Sequence, residues 1–467
     1  MRFPSLIPLL ILSLVMQARA ALPLADKAPG NALLYAGWAG ADALQQPYAN
    51  SHLKAVLDQS NIPELAQQYL PQLWQKLSDS ATEKAQKDQV AAAKIAAPLL
   101  WRHPTAFCMT PSTNAANPAN VHFQLICDAG DDAPALLAAL QKFDSVAPAT
   151  HADRKGSLVT LIVNGEKPSD MADAPALSST PAFVAMTKPL QSSPALAVYF
   201  DGASSIKQWN NAFDKNPNAR DIWPKVRDAL GLTHLQGYAW TAGFDGKDWA
   251  TASFLAAPSP RTGLLAVIEP KPADLALLAS VPASADSASV INFDAPGLFD
   301  VIHTAFAADP QAGAMFDKAV GVGSMLMGRN IRRQILGPLG PQWVIYSKGG
   351  SLFYVLLNKP TDPKTAQDGF VSVTYGLSNL ANSQMRRLGG GNITVTADQK
   401  QVEGLTVTSI ALPNKAILSW AINKDGIMAF GKTSTEVVAA ANTAPQTRNI
   451  TQSDQFMAMR TRLGIPV

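Results

Sequence analysis

The chain has 467 residues, 47% hydrophobic and 16% charged, where an average soluble domain carries roughly 25% charged residues. That apolar content is enough for a buried core and excludes disorder as the default state. The 38 basic and 35 acidic residues nearly cancel, which excludes nucleic acid and an anionic membrane as partners, since both need clustered Lys and Arg.

The N-terminus reads as a secretory leader. Arg2 supplies a positive start, an apolar run follows from Leu6 to Met16, and Ala18 and Ala20 flank Arg19 as small residues at a cleavage site. The run is about 11 residues, short of the about 20 needed to span a bilayer. Residues 1–20 are therefore expected to be a signal peptide, and the protein to be periplasmic or secreted. No Cys follows the run, so no acylation site is expected. Losing Arg2 and Arg19 takes the basic count from 38 to 36 against 35 acidic residues, a net charge of +1. No later apolar stretch approaches about 18 residues, so no mature transmembrane segment is expected.

Length points to about three domains: an N-terminal α+β domain over 21–190, a middle α+β module over 191–285 and a C-terminal α+β module over 286–467. In the first, Leu33 to Trp38 reads as a strand and Pro63 to Ala97 as helical, with Trp74, Leu77 and Ile95 as inward residues. The Lys-rich stretch Ser78 to Gln89 reads as a solvated helix face.

The two cysteines, Cys108 and Cys127, sit in the strand-like runs Thr105 to Met109 and Val121 to Cys127, joined by a Pro- and Asn-rich loop. A hairpin there would bring the sulfurs together, and an oxidising compartment then predicts a Cys108–Cys127 disulfide. Two unpaired buried thiols are the alternative. Asp131 and Asp132 precede a helix from Ala133 to Phe143 and suit its N-terminal charge. Gly165 to Pro194, with five prolines, is the best boundary candidate.

From there a recurring unit appears. Leu196 to Phe200 is a strand, Asp201 a turn, and a helix reaches Phe213. Val290 to Phe293 is a strand, Asp294 a turn, and a helix reaches Phe306. Each unit continues through Leu-Gly (Leu230-Gly231 and Leu336-Gly337) into two strands, and the aspartates are 93 residues apart. This predicts a diverged internal repeat. Adjacent strands are expected over Leu235 to Trp240, Trp249 to Leu255 and Leu264 to Ile268. A second group is Ile393 to Thr396, Val402 to Leu412, Ala416 to Ile422 and Ile427 to Phe430. Short polar turns between them imply antiparallel pairing. The fold class is therefore α+β, with tandem antiparallel sheets covered by helices.

Chemistry-bearing patterns are scarce. Gly426 to Thr433 matches the phosphate-loop pattern G-x-x-x-x-G-K-[ST], but its middle residues are Ile427, Met428, Ala429 and Phe430, a strand sequence. The preceding Asn423 to Gly426 reads as a hairpin turn, so nucleotide binding is rejected. His52, His103, His122, His151, His234 and His303 form no metal-binding spacing, and no metal or cofactor is expected. Gly349 to Ser351 begins like a nucleophile elbow and continues Leu352-Phe353. Gly389 to Gly391 reads as the approach to a hairpin. Trp209, Trp223, Trp240 and Trp249 cluster within about 40 residues, and such rings either fill a core or stack on a ligand.

At Leu33 to Gly40, Tyr199 to Asp201 and Gly243 to Trp249 the chain resembles large secreted proteins of unknown function found in planctomycete-type bacteria. The resemblance implies a modular, exported protein and carries over no catalytic residue. The reading that fits these features is a non-enzymatic binding or structural role in the envelope or outside the cell. An envelope protein, a polysaccharide or an apolar ligand would be the partner. A hydrolase whose polar residues converge only in three dimensions, or a carrier of an apolar molecule, are the alternatives.

Overall fold

The computed structural model describes residues 22–111, 121–143, 150–163, 175–190, 194–269, 271–349, 354–387, 394–412, 415–442 and 448–463. The expected leader and Gly389 to Gly391 lie outside the described residues. The chain divides into two compact units, one running up to Arg220 and resuming at Thr233–Ser259, the other made of Asp221–Leu232 and everything from Pro260 onward.

The first unit runs β1 (Leu34–Trp38), α1 (Ala41–Ala49), α2 (His52–Asp58), α3 (Ile62–Ser80), α4 (Lys84–Arg102), β2 (Thr105–Pro111), β3 (Val121–Asp128), α5 (Ala133–Leu140), β4 (His151–Lys155), β5 (Leu158–Val163), α6 (Pro181–Thr187), β6 (Leu196–Asp201) and α7 (Gly202–Asp214). After α8 (Trp223–Ala229), which belongs to the second unit, it closes with β7 (Gly237–Asp245) and β8 (Asp248–Ala256). The strands form one antiparallel sheet in the order β4-β5-β3-β2-β1-β6-β7-β8. β6 pairs along the whole of β1, so residues 196–256 extend the first sheet instead of founding a separate middle module. The expected boundaries at 190/191 and 285/286 do not coincide with the division between units.

Strand parity sorts this sheet into two faces. Tyr35, Ala106, Cys108, Ile126, Ala197, Tyr199 and Ala239 form one, sealed by Leu22, Ala25, Ala28, Leu177 and the α6 side chains Phe183 and Met186. Tyr35 stands opposite Tyr199 in the register, and Phe183 meets both rings edge-on, at 5.9 and 5.0 Å. The Tyr35 hydroxyl donates to the Pro23 carbonyl and lies over Gly37, where a Cβ would come within 2.1 Å of it. Only glycine fits beneath that ring. On the other face Cys127 and Val159 pack under Leu136 of α5 and Ala92 and Ala96 of α4.

The second unit contains α8, α9 (Gly263–Val267), α10 (Leu275–Leu278), β9 (Ser287–Asn292), α11 (Ala295–Phe306), α12 (Pro310–Met327), a π-helical turn (Ile331–Leu336), β10 (Gln342–Ser347), β11 (Val355–Asn358), α13 (Pro363–Arg387), β12 (Thr396–Val402), β13 (Leu405–Leu412), β14 (Lys415–Ile422), β15 (Met428–Gly431), α14 (Ser434–Ala441) and α15 (Asp454–Leu463). Its antiparallel sheet is ordered β12-β13-β14-β15-β11-β10-β9. Val344, Leu357, Ala421 and Ala429 pack against Leu277, Val281 and the α14 valines Val437 and Val438. Trp420, Met428 and Phe430 pack on the opposite face with Phe370 of α13 and Leu336 and Leu339. The fold is thus α+β with antiparallel sheets. The order strand, two helices, two strands occurs as β6-α7-α8-β7-β8 and as β9-α11-α12-β10-β11. In both, the aspartate after the strand caps the first helix: Asp201 accepts from the Ser204 N–H and Asp294 from the Gly297 N–H.

Several local expectations change. Leu264 to Ile268 is not a strand; residues 264–267 lie in helix α9, entered through Gly263 at φ +56°, and Ile268 is its C-cap. A five-residue apolar run has no periodicity that separates the two. Val402 to Leu412 is not one strand, because Glu403 and Gly404 both take positive φ (48° and 79°) and turn β12 into β13. The helical stretch over 63–97 is two helices, broken where Glu83 and Gln86 form a capping box.

The expected disulfide is corrected by register. β2 and β3 do pair as a hairpin, but Cys108 faces Gln124 and Cys127 faces Thr105. The offset of three residues is odd, so the two side chains leave opposite faces of the sheet, and three residues is about 10 Å along a strand. Both thiols are free and buried, each in a different core cluster.

Burial pushes the Cys108 thiol up to about 12 and raises Cys127. Native protein should therefore leave both thiols unmodified by a thiol reagent at pH 8, and the unfolded chain should release two. A chain 2 Da lighter than its reduced form would overturn this assignment. Above pH 9 the unfolded chain loses its Cys108 proton while the folded chain keeps it, so stability should fall as pH climbs from 9 towards 12. Cys108→Ala should make that decline shallower without removing it, because burial also raises the Cys127 thiol and the Tyr35, Tyr199 and Tyr346 phenols. Replacing Tyr35 by Ala should cost about 3–5 kcal/mol in urea denaturation, and by Phe about 1 kcal/mol. A Tyr35→Ala effect as small as the Phe effect would place the ring outside the core.

Candidate functional site

α3 is amphipathic by sequence. Ile62, Leu65, Tyr69, Leu73 and Leu77 recur at helical spacing, with Leu70 beside them, so one stripe is apolar. Such a stripe ordinarily faces a core. Here α3 buries no residue, and these six side chains are 42–58% exposed. Of the residues expected to point inward, Trp74 is half-buried, whereas Leu77 (42%) and Ile95 (54%) are exposed. α4 uses its small side chains for packing instead: Ala92 and Ala96, with Leu99 and Leu100, go against α5.

The C-terminal end of α4 is fixed to β1. The Trp38 indole N–H donates to the Trp101 carbonyl at 2.7 Å, and the two indoles stack at 4.6 Å. The Thr105 hydroxyl donates to the Leu100 carbonyl at 3.0 Å. Both bonds satisfy carbonyls that a helix end leaves open. Arg102 bridges Asp42 at 3.2 Å and Asp132 at 3.3 Å, and His103 Nε2 meets Asp132 at 2.9 Å. The His103 hydrogen bond, then the Arg102 charge, holds the Asp132 carboxyl below its usual range. Gly40 completes the joint at φ +89°, where a Cβ would lie 2.7 Å from the Arg102 carbonyl oxygen. The α3–α4 hairpin is an arm with a polar, hydrogen-bonded base and an apolar outer helix. Asp132, read from sequence as helix-end charge, is a partner in that base.

A second apolar surface lies on the same sheet. The face opposite Tyr35 carries Trp38, Phe107, Phe123, Phe200, Trp240 and Trp249 by strand parity. All are half-buried except Trp249, which is 39% exposed and packs edge-on against Phe244. Phe107 and Phe123 stack at 5.8 Å. α7 lies against one end of this face, with Trp209 6.4 Å from Phe200. Between them is a cavity of about 240 Å³, lined among others by Leu33, Met109, Trp209, Phe213, Ser205 and Gln208. Three of the four clustered tryptophans, Trp209, Trp240 and Trp249, thus belong to one surface; Trp223 begins α8 in the second unit.

In the second unit an open groove of about 550 Å³ runs over β12, β13 and β14. It presents the Thr396 side chain, the Ser409 and Ser419 hydroxyls, 2.8 Å apart, and the Asp398–Lys400 pair at 2.7 Å. The phosphate-loop match is a strand: Met428–Gly431 is β15, held between β14 and β11, and Thr433 caps α14 with Glu436. His52 and His303 pair with Asp248 (2.9 Å) and Asp317 (3.0 Å) at exposed positions. Among the described residues no group of three His, Cys, Asp or Glu side chains is placed to hold a metal. No helix among them is long and apolar enough to cross a membrane. Comparison with family models, with curated proteins and with solved structures finds no match.

Proposed function

We propose that this protein is an exported, non-catalytic binding protein of the cell envelope that engages an apolar partner through the α3–α4 arm. The observation that carries the reading is the exposed apolar stripe of α3, which buries none of its residues. Each large side chain withdrawn from water stabilises by roughly 1.5–3 kcal/mol when fully buried, so six exposed together are a standing drive towards association. The arm's base, by contrast, is spent on internal contacts. Between Ile62 and Arg102 stand the cations Lys76, Lys84, Lys87, Lys94 and Arg102 and the anions Glu64, Asp79, Glu83 and Asp88, a net charge of +1. That near balance favours an apolar protein surface over an anionic bilayer, which would call for a strongly basic face. Export rests on the leader-like sequence of residues 1–20.

The triple variant Leu65→Gln/Leu73→Gln/Leu77→Gln separates partner binding from folding. Exposed substitutions cost little, so its melting midpoint should stay within about 4 °C of the parent. A photoreactive side chain at Tyr69 should give one discrete adduct in producing cells, lost in the triple variant. A collapse of the melting midpoint would show that the stripe is covered by the chain itself, and persistence of the adduct would show that the stripe does not bind; either result would sink the proposal.

A further inference from the structure

We propose that the free edge of β8 is a dimerisation surface, on which a second copy of this chain lays its own β8 antiparallel and joins the two first-unit sheets into one. The surface is distinct from the arm and does not depend on the reading given to it.

β8 is nine residues long and ends the first sheet, with β7 on one side only. Gly246 and Lys247 form a two-residue hairpin loop, so Asp245 and Asp248 are a mutually bonded pair. Counting on from there, Asp248, Ala250, Ala252, Phe254 and Ala256 turn their backbone groups to β7, and Trp249, Thr251, Ser253 and Leu255 turn theirs outward. Among the described residues none of these four outward N–H and four outward C=O groups has a hydrogen-bond partner. Trp249, Thr251 and Ser253 are exposed and Leu255 is half-buried. Such a row is a template for another strand, and proteins ordinarily guard it with charge. β4 does so with Asp153, Arg154 and Lys155, and β12 with Asp398 and Lys400. The β9 edge is shorter, at six residues, and its final Asn292 side chain donates to the Lys271 carbonyl. β8 carries no charge beyond its first residue, Asp248, which is paired with His52.

Self-complementarity identifies the occupant as a second copy. Two β8 strands crossing antiparallel at Ala252 bring all four outward residues of each copy into mutually bonded pairs, eight backbone hydrogen bonds in all. Trp249 then faces Leu255 of the second copy, apolar against apolar, and Thr251 faces Ser253, a hydroxyl pair that stabilises sheets. On the opposite face Phe254 lies over Ala250 of the second copy, and Ala252 meets its own counterpart across the twofold axis. Asp248 stands against Ala256, so no like charges are opposed. Trp249 and Phe254, 39% and 37% exposed, both gain an apolar neighbour. A slip of two residues in either direction leaves one outward residue of each copy unpaired. The contact is the same patch on both copies, so it closes as a dimer and leaves no β8 edge open.

The test is sedimentation velocity of the purified chain over a concentration series, with disulfide trapping of the register. The parent should pass from monomer to dimer as concentration rises. Thr251→Pro removes one outward N–H and leaves the bonds to β7 in place. It should weaken dimerisation about thirtyfold, the loss of two neutral hydrogen bonds per dimer, at a parent-like melting midpoint. Ala252→Cys should crosslink to its own counterpart under mild oxidation, because directly opposite residues of a non-bonded pair stand about 4.5 Å apart, within disulfide reach. Ala250→Cys, about 13 Å from its counterpart, should not. The native thiols are buried and stay out of the reaction. A chain that is monomeric at every concentration would overturn the proposal. So would a dimer that Thr251→Pro leaves unweakened, that Ala252→Cys fails to trap, or that dissociates in the α3 triple variant, since association would then run through another surface. If Thr251→Pro fails to fold, the contrast between the two cysteine variants still decides.

Discussion

β1 is five residues long, and the first unit is organised around its two edges. It pairs with β2 on one side and β6 on the other, joining segments that lie far apart in the chain. Such non-local pairing is entropically expensive to close, so it must be specified strongly. The specification is side-chain parity. Tyr35 and Gly37 point into the sealed face, where Tyr35 meets Tyr199 and Phe183 and leaves room for nothing larger than glycine two residues on. A slip of one residue would put Trp38 into that space and expose Tyr35. The same parity sends Trp38 to the other face, where it holds the end of α4. One short strand therefore sets both the buried core and the base of the arm.

The two units treat their sheets differently. In the second, apolar side chains from both faces meet covering helices: α14 and α10 on one side, α13 and the turn before β10 on the other. In the first, one face is sealed, and the other is covered at the β3–β5 end but leaves a row of aromatic side chains half-buried. A sheet face that is apolar yet incompletely covered is thermodynamically unfinished unless something else occupies it. The arm, the aromatic face and the cavity under α7 all belong to this one unit.

Much of the architecture was legible in local pattern. Alternation located β1, β6, β9 and β14 within a few residues, and Asp201 and Asp294, read as turn residues between strand and helix, stand at those junctions as helix caps. The phosphate-loop match was rejected because Ile427, Met428, Ala429 and Phe430 are strand residues, and β15 is a strand. What local pattern does not carry is register. Loop length brought Cys108 and Cys127 into one hairpin, yet only the pairing of Cys108 with Gln124 reveals that the sulfurs face apart. β12 fills the gap between the expected strands Ile393 to Thr396 and Val402 to Leu412, and it was missed because its polar sequence, Thr396–Val402, has no apolar rhythm to mark it.

The arm shows the same limit in a more useful form. An amphipathic pattern states that a helix has an apolar side; it does not state what covers that side. Leu77 and Ile95 were expected inward because a stripe of leucines usually means a core. α4 instead reaches the core through Ala92 and Ala96, whose small side chains pack with Leu136, while α3 buries no residue. Enlarging Ala92 or Ala96 would loosen the arm from α5, whereas changing the leucines of α3 would leave the fold intact, and that difference separates the residues that position the surface from those that form it.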